Sequence, residues 1–210
     1  MIASVRLYPL ECGGRQGTSR EGVSWMRFTE LTELQGAWLV DPMPARDERG
    51  SFSRLFCARE FADRGLETHF VQYSISHSQV LGTLRGLHFQ QEPHSEVKLV
   101  CCQKGAIADV IVDLREDSPT FGRWHAFELS AENRRLLYVP KGFAHGFQSL
   151  QDDVEISYMI STFYTPEAAC GIRYDDPAFA ITWPLPAAAL SERDRAWPDF
   201  VIPRGKRRFS

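Results

Sequence analysis

Short stretches that are apolar or alternate between apolar and polar residues recur along the middle of the chain. They cover residues 70–76, 97–101, 106–114, 124–129 and 154–160, with turn residues such as Lys104-Gly105 between them. Alternation puts successive side chains on opposite faces of a strand, so these stretches predict strands with a buried face. Many short strands with few helical segments favour a sandwich or barrel over βαβ units. We therefore predict an all-β domain with a few short peripheral helices.

Two histidines stand in motif-like contexts on separate predicted strands. One is His88, in Arg85-Gly-Leu-His-Phe-Gln90, and the other is His145, in Pro140-Lys-Gly-Phe-Ala-His-Gly146. Two distant strands bring both rings into one pocket only if the sheet closes over itself. A histidine in a mostly apolar barrel serves either as a metal ligand or as an acid–base group. These two interpretations lead to different functions.

The bulk properties limit the class of protein. At 210 residues, 43% of them apolar, the chain is long enough for one all-β domain with a substantial core. We expect a flexible N-terminal leader over residues 1–25, a single domain over residues 26–200 and a basic C-terminal tail over residues 201–210. The net charge of -3 gives no electrostatic footprint for nucleic acid.

Hydropathy and cysteine usage bear on localisation. No apolar run approaches the ~20 residues of a membrane span, and residues 1–10 are too polar for a signal-peptide core. The five cysteines match neither a zinc spacing nor a paired framework, so we expect free thiols. These features predict a cytoplasmic protein with no membrane partner.

A cupin-type metal site is one interpretation of the histidines. Such a site needs two histidines two residues apart, a later glutamate and a third histidine on a distant strand. The chain matches this pattern in part, which favours a cupin-like double-stranded β-helix, or jelly roll. The site is incomplete because Gln90 stands where the second histidine is needed, and an amide is a poor transition-metal ligand. A site built from His88, His145 and either His94 or Glu96 remains an alternative.

Acid–base chemistry is the other interpretation. A histidine that removes a proton from carbon needs a carboxylate behind the ring and a cation where negative charge develops. Lys98 supplies the cation if it faces the interior, although an outward lysine fits the pattern too. Tyr158 shares strand parity with Ile156, so its phenol is either a proton donor or an ordinary core group. Asp194 lies three residues after Ser191, which is the spacing of a helix cap.

Several motifs in one order resemble the dTDP-4-dehydrorhamnose 3,5-epimerase family. The resemblance runs from about Leu31 to Asp194, and it covers GTLRGLHFQ at 82–90, VKLV at 97–100, DVIVDLR at 109–115, SPTFG at 118–122, ELSAEN at 128–133, VPKGFAHGF at 139–147, GIRYDDP at 171–177 and WP at 183–184. It implies a homodimeric cupin-fold isomerase with no metal and no cofactor. The implied substrate is a dTDP-linked 4-keto-6-deoxyhexose, which loses protons at C3 and C5 and regains them on the opposite face.

The resemblance also implies roles for individual residues. It assigns His88 as the base, Asp194 as its carboxylate partner, Tyr158 as the acid and Lys98 as the group that stabilises the enolate oxygen. This assignment leaves the helix-cap interpretation of Asp194 as a minor alternative. The implied substrate-binding residues are Arg49, Phe52, Gln72, Arg85, His145, Tyr164, Arg173 and Arg193. Among them, Tyr164 stacks on the nucleotide base, His145 holds the sugar nucleotide, and the arginines suit the pyrophosphate.

Four binding positions depart from the usual pattern of the family. Arg54 and Cys170 each stand where a glutamate is usual, and Tyr73-Ser74 replaces a common Asp-Asn pair. The nucleotide base and the exact sugar therefore stay open, whereas the proton chemistry stands. An epimerase that acts at C3 alone on a related nucleotide sugar is one alternative, and a metal-dependent cupin enzyme is another.

Overall fold

A computed structural model describes residues 24–203, which form two large sheets, one small hairpin and two short helices. The strands are β1 (Met26–Glu30), β2 (Trp38–Pro42), β3 (Ala45–Asp47), β4 (Gly50–Phe52), β5 (Gln72–Ser78), β6 (Leu84–Gln90), β7 (Lys98–Lys104), β8 (Ala106–Asp113), β9 (Trp124–Ser130), β10 (Leu136–Val139), β11 (Phe143–Ser149), β12 (Val154–Ile160) and β13 (Ala169–Gly171). Helix α1 spans Ala58–Ala62, a 3-10 turn spans Pro166–Ala168 and helix α2 spans Glu192–Arg195.

The strands are divided between the two sheets in a winding order. One sheet has the order β1-β2-β10-β7-β12-β5 and the other has the order β13-β6-β11-β8-β9. The chain crosses from one sheet to the other repeatedly, and its strand pairs are antiparallel. This is a cupin-like jelly roll, and it confirms the predicted all-β fold with few short helices.

Strand alternation builds a core between the sheets and one on each outer side. The inner cluster joins residues of both sheets, among them Val100 and Ile111. Phe61 of α1 packs on the outer face of the six-stranded sheet, as expected for a helix with no long partner. Adjacent Cys101 and Cys102 belong to the outer and inner clusters respectively, because neighbouring side chains in a strand point to opposite faces.

Three expectations about the ends and edges have different outcomes. The sequence GAWLV at residues 36–40 predicts a strand, and such a strand could add to a partner's sheet; in the structure, however, β2 pairs with β1 on one side and β10 on the other, so it has no free edge. The predicted leader and tail lie mostly outside the described residues, although Ser24 Oγ donates a hydrogen bond to the carbonyl of Met26 at 2.7 Å. Across residues 24–203, no helix is both long and apolar enough to cross a membrane.

Candidate active site

The two motif histidines lie side by side on neighbouring strands. His88 of β6 and His145 of β11 are direct register partners. Leu87 and Ala144 belong to the cluster outside the five-stranded sheet, so the histidines beside them point to the interior. The strands approach closely because Gly86 lacks a Cβ, which would lie 2.5 Å from the Cα of Gly146. Direct pairing of β6 with β11 in one sheet brings both imidazoles into one cavity, so closure of the sheet over itself, which we expected to be necessary, is not needed.

Asp194 reaches His88 from helix α2 although 106 residues separate them in sequence. The helix begins after Ser191, whose Oγ accepts a hydrogen bond from the Asp194 amide at 3.0 Å. The Asp194 carboxylate lies 2.6 Å from His88 Nε2 through Oδ1 and accepts from the Gly86 amide at 3.3 Å through Oδ2. The predicted helix cap is therefore present, because the Asp194 amide bonds to Ser191, while the Asp194 side chain bonds to His88.

The charge on Asp194 determines which nitrogen of His88 carries a proton. Burial by itself raises the pKa of this carboxyl, but the hydrogen bond and charge of His88 and the amide of Gly86 outweigh it and lower the pKa. An ionised carboxylate can only accept, so Nε2 of His88 is the protonated nitrogen and Nδ1 can accept a proton. The ring is 45% exposed, which leaves it open to a small molecule.

Lys98 faces the interior beside His88. Its Nζ donates to the carbonyl of His88 at 3.2 Å and lies 3.1 Å from Glu96 Oε1. The outward orientation that the pattern allowed is thus not the one adopted. Glu96 is a buried partner that sequence reasoning considered only as a metal ligand; its place two residues before Lys98 gives both the same strand parity. Its second oxygen has no partner among the described residues.

Tyr158 points inward from β12, as its parity predicted. Its hydroxyl lies 2.7 Å from Ser76 Oγ, and its ring meets that of His145 edge to face at 6.2 Å between centroids. Burial is the main influence on this phenol and raises its pKa well above the ordinary range, against the weaker opposite effect of the Ser76 hydrogen bond. The hydroxyl therefore stays protonated at neutral pH and can donate.

His145 forms a second histidine–aspartate pair. Its Nε2 lies 2.5 Å from Oδ1 of Asp109, and the histidine and aspartate side chains are 5% and 0% exposed. Asp109 was missing from the predicted site. A signal for it exists, because it interrupts the apolar run of β8 with the same parity as inward-facing Ile107 and Ile111.

These groups share one cavity of about 580 Å³, within the range of small-molecule sites. The four predicted catalytic residues line it, together with three of the predicted binding residues. The polar lining is Thr83, Arg85, His88, Lys98, His145, Tyr158, Ser191, Arg193 and Asp194. An imidazole, a lysine amine and a phenol therefore face a common space.

Five predicted binding residues lie outside this lining. Tyr164 is nonetheless connected to it, since its hydroxyl accepts from Arg193 at 3.4 Å and its amide donates to Gln72 Oε1 at 2.9 Å. Arg49 and Phe52 lie on the exposed β3–β4 hairpin, which pairs with neither large sheet. Arg173 contacts Asp175 and Asp199 instead of the cavity.

The positions of the alternative metal site have other contacts. The Gln90 amide bonds to the backbone at His94, Phe163 and Thr165, and His94 Nδ1 lies 3.2 Å from Thr165 Oγ1. Within the part of the chain that the structure describes, no three His, Cys, Asp or Glu side chains are grouped to hold a metal ion.

Two of the positions that depart from the family pattern have defined surroundings. The Arg54 guanidinium lies over the ring of Trp25, 5.2 Å from its centroid. Cys170 lies on β13 opposite Phe89 of β6, and its thiol is free. Neither belongs to the cavity lining.

Comparison with known proteins points to one family. Residues 31–201 match the family model described as dTDP-4-dehydrorhamnose 3,5-epimerase. A protein of that name from Methanothermobacter thermautotrophicus is 46% identical over 169 residues, which are 79% of this chain and 90% of the relative.

Two solved structures extend the comparison. The dTDP-4-dehydrorhamnose 3,5-epimerase of Bacillus anthracis, solved with TDP and PPi bound, is 40% identical with a TM-score of 0.80, over 83% of this chain and 99% of that one. ChmJ, a 3'-monoepimerase from Streptomyces bikiniensis in complex with dTDP-quinovose, is 34% identical with a TM-score of 0.75, over 81% and 86%.

Proposed function

This chain belongs to the dTDP-4-dehydrorhamnose 3,5-epimerase family, and from that membership we propose how its cavity performs the reaction. The chain is an isomerase that epimerises C3 and C5 of a dTDP-linked 4-keto-6-deoxyhexose. The observation that carries the assignment of roles is the His88–Asp194 pair, which opens into a cavity also lined by Lys98 and Tyr158.

His88 removes the proton from C3 or C5. Both carbons are next to the C4 ketone, so the electrons of the broken C–H bond move into an enolate with its charge on the C4 oxygen. Nδ1 of His88 takes the proton, and Asp194 stabilises the imidazolium that forms and keeps the ring oriented. The low pKa of Asp194 supports this role, because the carboxylate stays charged while the ring gains its proton.

Lys98 and Tyr158 complete each epimerisation. The ammonium of Lys98 stabilises the C4 oxyanion, a type of contribution that is worth about 10²–10³-fold in kcat. Tyr158 then donates its proton to the opposite face of the carbon, and the ketone re-forms. His88 releases its proton to solvent and Tyr158 regains one before the second carbon reacts.

The nucleotide half of the substrate lies toward Arg85, Arg193 and Tyr164. The two arginines line the cavity and suit a pyrophosphate, which their planar groups bind through paired hydrogen bonds. Tyr164 is exposed beside Arg193, and its ring stacks on the nucleotide base. His145 holds the sugar nucleotide from the side of the cavity opposite the surface.

The chain acts as a homodimer with one catalytic domain over residues 26–200. The exposed hairpin β3–β4 carries Arg49 and Phe52 away from the cavity of its own chain, and Phe52 is 59% exposed. A partner cavity gives both side chains a substrate to contact. The exposed Tyr73 and Ile75 on the edge strand β5 are further apolar surface that a second copy can cover.

Incubation with dTDP-4-keto-6-deoxyglucose in D₂O tests the reaction, followed by proton NMR of H3 and H5. Deuterium at both carbons with formation of the doubly inverted sugar is expected. Deuterium at C3 alone would identify the C3-only epimerase, which the similarity to a 3'-monoepimerase keeps as a second candidate. No deuterium at either carbon would overturn the proposal. Light scattering tests the dimer, and a monomeric mass would contradict it.

A further inference from the structure

Gln90 has a buried amide that connects β6, the strand that carries His88, to a loop at the edge of the cavity. It lies two residues from His88 on β6 and is 6% exposed. Its Nε2 donates to the carbonyls of His94 at 3.0 Å and Phe163 at 3.3 Å, and its Oε1 accepts from the Thr165 amide at 2.6 Å. Both N–H groups and the carbonyl are satisfied, which is the condition for burying an amide at low cost.

The segment that Gln90 holds presents two aromatic rings to the outside. We call residues 161–165 the aromatic loop, because Phe163 and Tyr164 within it are 65% and 56% exposed. Two adjacent exposed rings form a contiguous apolar patch, and such patches can mark binding surfaces. Arg193, which lines the cavity, donates to the Tyr164 hydroxyl, so the loop lies beside the cavity entrance.

Only an amide fits the position of Gln90. The two carbonyls of His94 and Phe163 require donors, and the Thr165 amide requires an acceptor. A carboxylate would place an acceptor against both carbonyls, and an apolar side chain would leave two backbone groups of the loop and the carbonyl of His94 without this partner. Gln90 thus holds the aromatic loop at the residues on either side of Tyr164, in addition to the bond between the Tyr164 amide and Gln72.

We propose that Gln90 is a positioning residue that sets the affinity for the nucleotide half of the substrate by holding the aromatic loop in place. This inference rests on the proposed function, in which Tyr164 stacks on the nucleotide base of the substrate. Strand β6 then serves both halves of the substrate, with His88 for proton transfer and Gln90 for nucleotide affinity.

Gln90→Met tests the inference, and Gln148→Met is its matched control. Gln148 is also buried, and its amide bonds to both the carbonyl and the amide of Leu185, so it clamps a different loop in the same way. Isothermal titration of the full chain with dTDP is expected to show about 10-fold weaker binding for Gln90→Met, the loss of about one net hydrogen bond of support. Gln148→Met is expected to bind within about twofold of wild type.

Kinetics separate positioning from a general structural role. For Gln90→Met we expect KM to rise with the loss of dTDP affinity, while kcat at saturation stays within about threefold, since uniform binding is lost and the proton transfers are not. Wild-type dTDP affinity in a folded Gln90→Met protein would overturn the inference, and so would a lowered kcat at unchanged KM. If Gln90→Met does not fold, Gln90→Asn takes its place with the same expectation, because its shorter side chain keeps a neutral amide but cannot reach the same backbone groups.

Tyr164→Ala distinguishes this inference from the proposed function. Weaker dTDP binding by Tyr164→Ala and by Gln90→Met supports both. Weaker binding by Tyr164→Ala alone overturns the role of Gln90 and leaves the nucleotide assignment intact. Unchanged binding by Tyr164→Ala overturns the nucleotide assignment, and the inference falls with it.

Discussion

The two histidine–aspartate pairs of the cavity are nearly alike in geometry and opposite in environment. His88–Asp194 and His145–Asp109 have Nε2–Oδ1 distances of 2.6 and 2.5 Å, and the histidines are register partners. The His88 side chain is 45% exposed, whereas that of His145 is 5% exposed. Asp194 comes from a distant helix with three donors around it, while Asp109 lies on the next strand with one oxygen unpartnered among the described residues.

The difference indicates that access, more than pairing, decides what each histidine can do. An open imidazole with a carboxylate behind it can take a proton from a bound sugar. A buried imidazole held by a buried carboxylate is suited to donate a hydrogen bond and to stabilise the fold. A third pair, His77–Asp153, has a 2.6 Å distance on the surface and provides a control for both.

Loss of the open ring is expected to have the largest effect. His88→Ala removes the proposed base and lowers the epimerisation rate by about 10²–10⁴-fold, measured by loss of H3 and H5 signals in D₂O. The melting temperature falls less than in His145→Phe, because the ring is 45% exposed and the Gly86 amide still donates to Asp194. His77→Ala, the surface control, keeps full activity. Full activity in a folded His88→Ala protein would end the assignment of this residue as the base.

Loss of the buried ring is expected to lower stability as well as substrate binding, and the effect on stability distinguishes it from loss of His88. His145→Phe leaves Asp109 buried without its partner, and breaking a buried pair costs about 3–5 kcal/mol. Urea unfolding measures this cost, which should exceed that of His88→Ala. Asp109→Asn in the His145→Phe background should recover part of the loss by removing the charge. Equal stability of His145→Phe and wild type would contradict the comparison.

Replacing the carboxylate of Asp194 tests whether it orients the ring of His88. In Asp194→Asn the amide can donate to Nε2, which favours the tautomer that carries its proton on Nδ1 and so blocks the base. We expect kcat to fall by about 10²-fold or more. Activity assays at several pH values check this, and a variant with wild-type kcat would show that Asp194 is a helix cap alone.

Loss of the proposed proton donor, Tyr158, should separate proton exchange on one face of the sugar from inversion of the carbon. Tyr158→Phe keeps the packing against His145 but removes the hydroxyl, so His88 can still exchange protons on its own face. Formation of the inverted product is expected to fall by about 10²-fold, while deuterium still enters without inversion. Mass spectrometry of recovered substrate detects that label. Equal losses of exchange and inversion would contradict the assignment of separate faces.

The smallest expected effect is the pH dependence of stability that comes from Asp194. Its pKa is lowered in the folded chain, so its contribution is complete above the unfolded pKa, about 4, and is lost as pH falls through the lower folded value. The stability difference between wild type and Asp194→Asn should therefore shrink in acid. Urea unfolding from about pH 7 to about pH 3 measures it, and a constant difference would contradict the expectation.

Strand positions and inward faces were predictable because alternation reports them directly. The parity of Tyr158 with Ile156 placed the phenol in the interior before any contact was known. Strand order was not predictable in the same way, and β2 proved to be internal, because local patterns say nothing about which distant strand fills an edge.

The two aspartates that pair with the cavity histidines also differ in how far the sequence predicts them. Spacing alone favoured a helix cap for Asp194, since its contact with His88 spans 106 residues and leaves no local trace; only the family resemblance suggested it. Asp109 was missed although a charged residue at an inward position of an apolar strand is itself a signal. Buried polar residues within strands therefore carry more information about a site than their neighbours do.

The position of α2 after all thirteen strands has a consequence for synthesis of the protein. His88, Lys98 and Tyr158 leave the ribosome with the sheets, and Asp194 follows only after β13 is complete. A chain that stops between residues 172 and 193 carries the base without its carboxylate, and we expect it to be inactive even where its sheets have formed. With the proposed roles, we expect proton transfer to become available only once translation has passed α2.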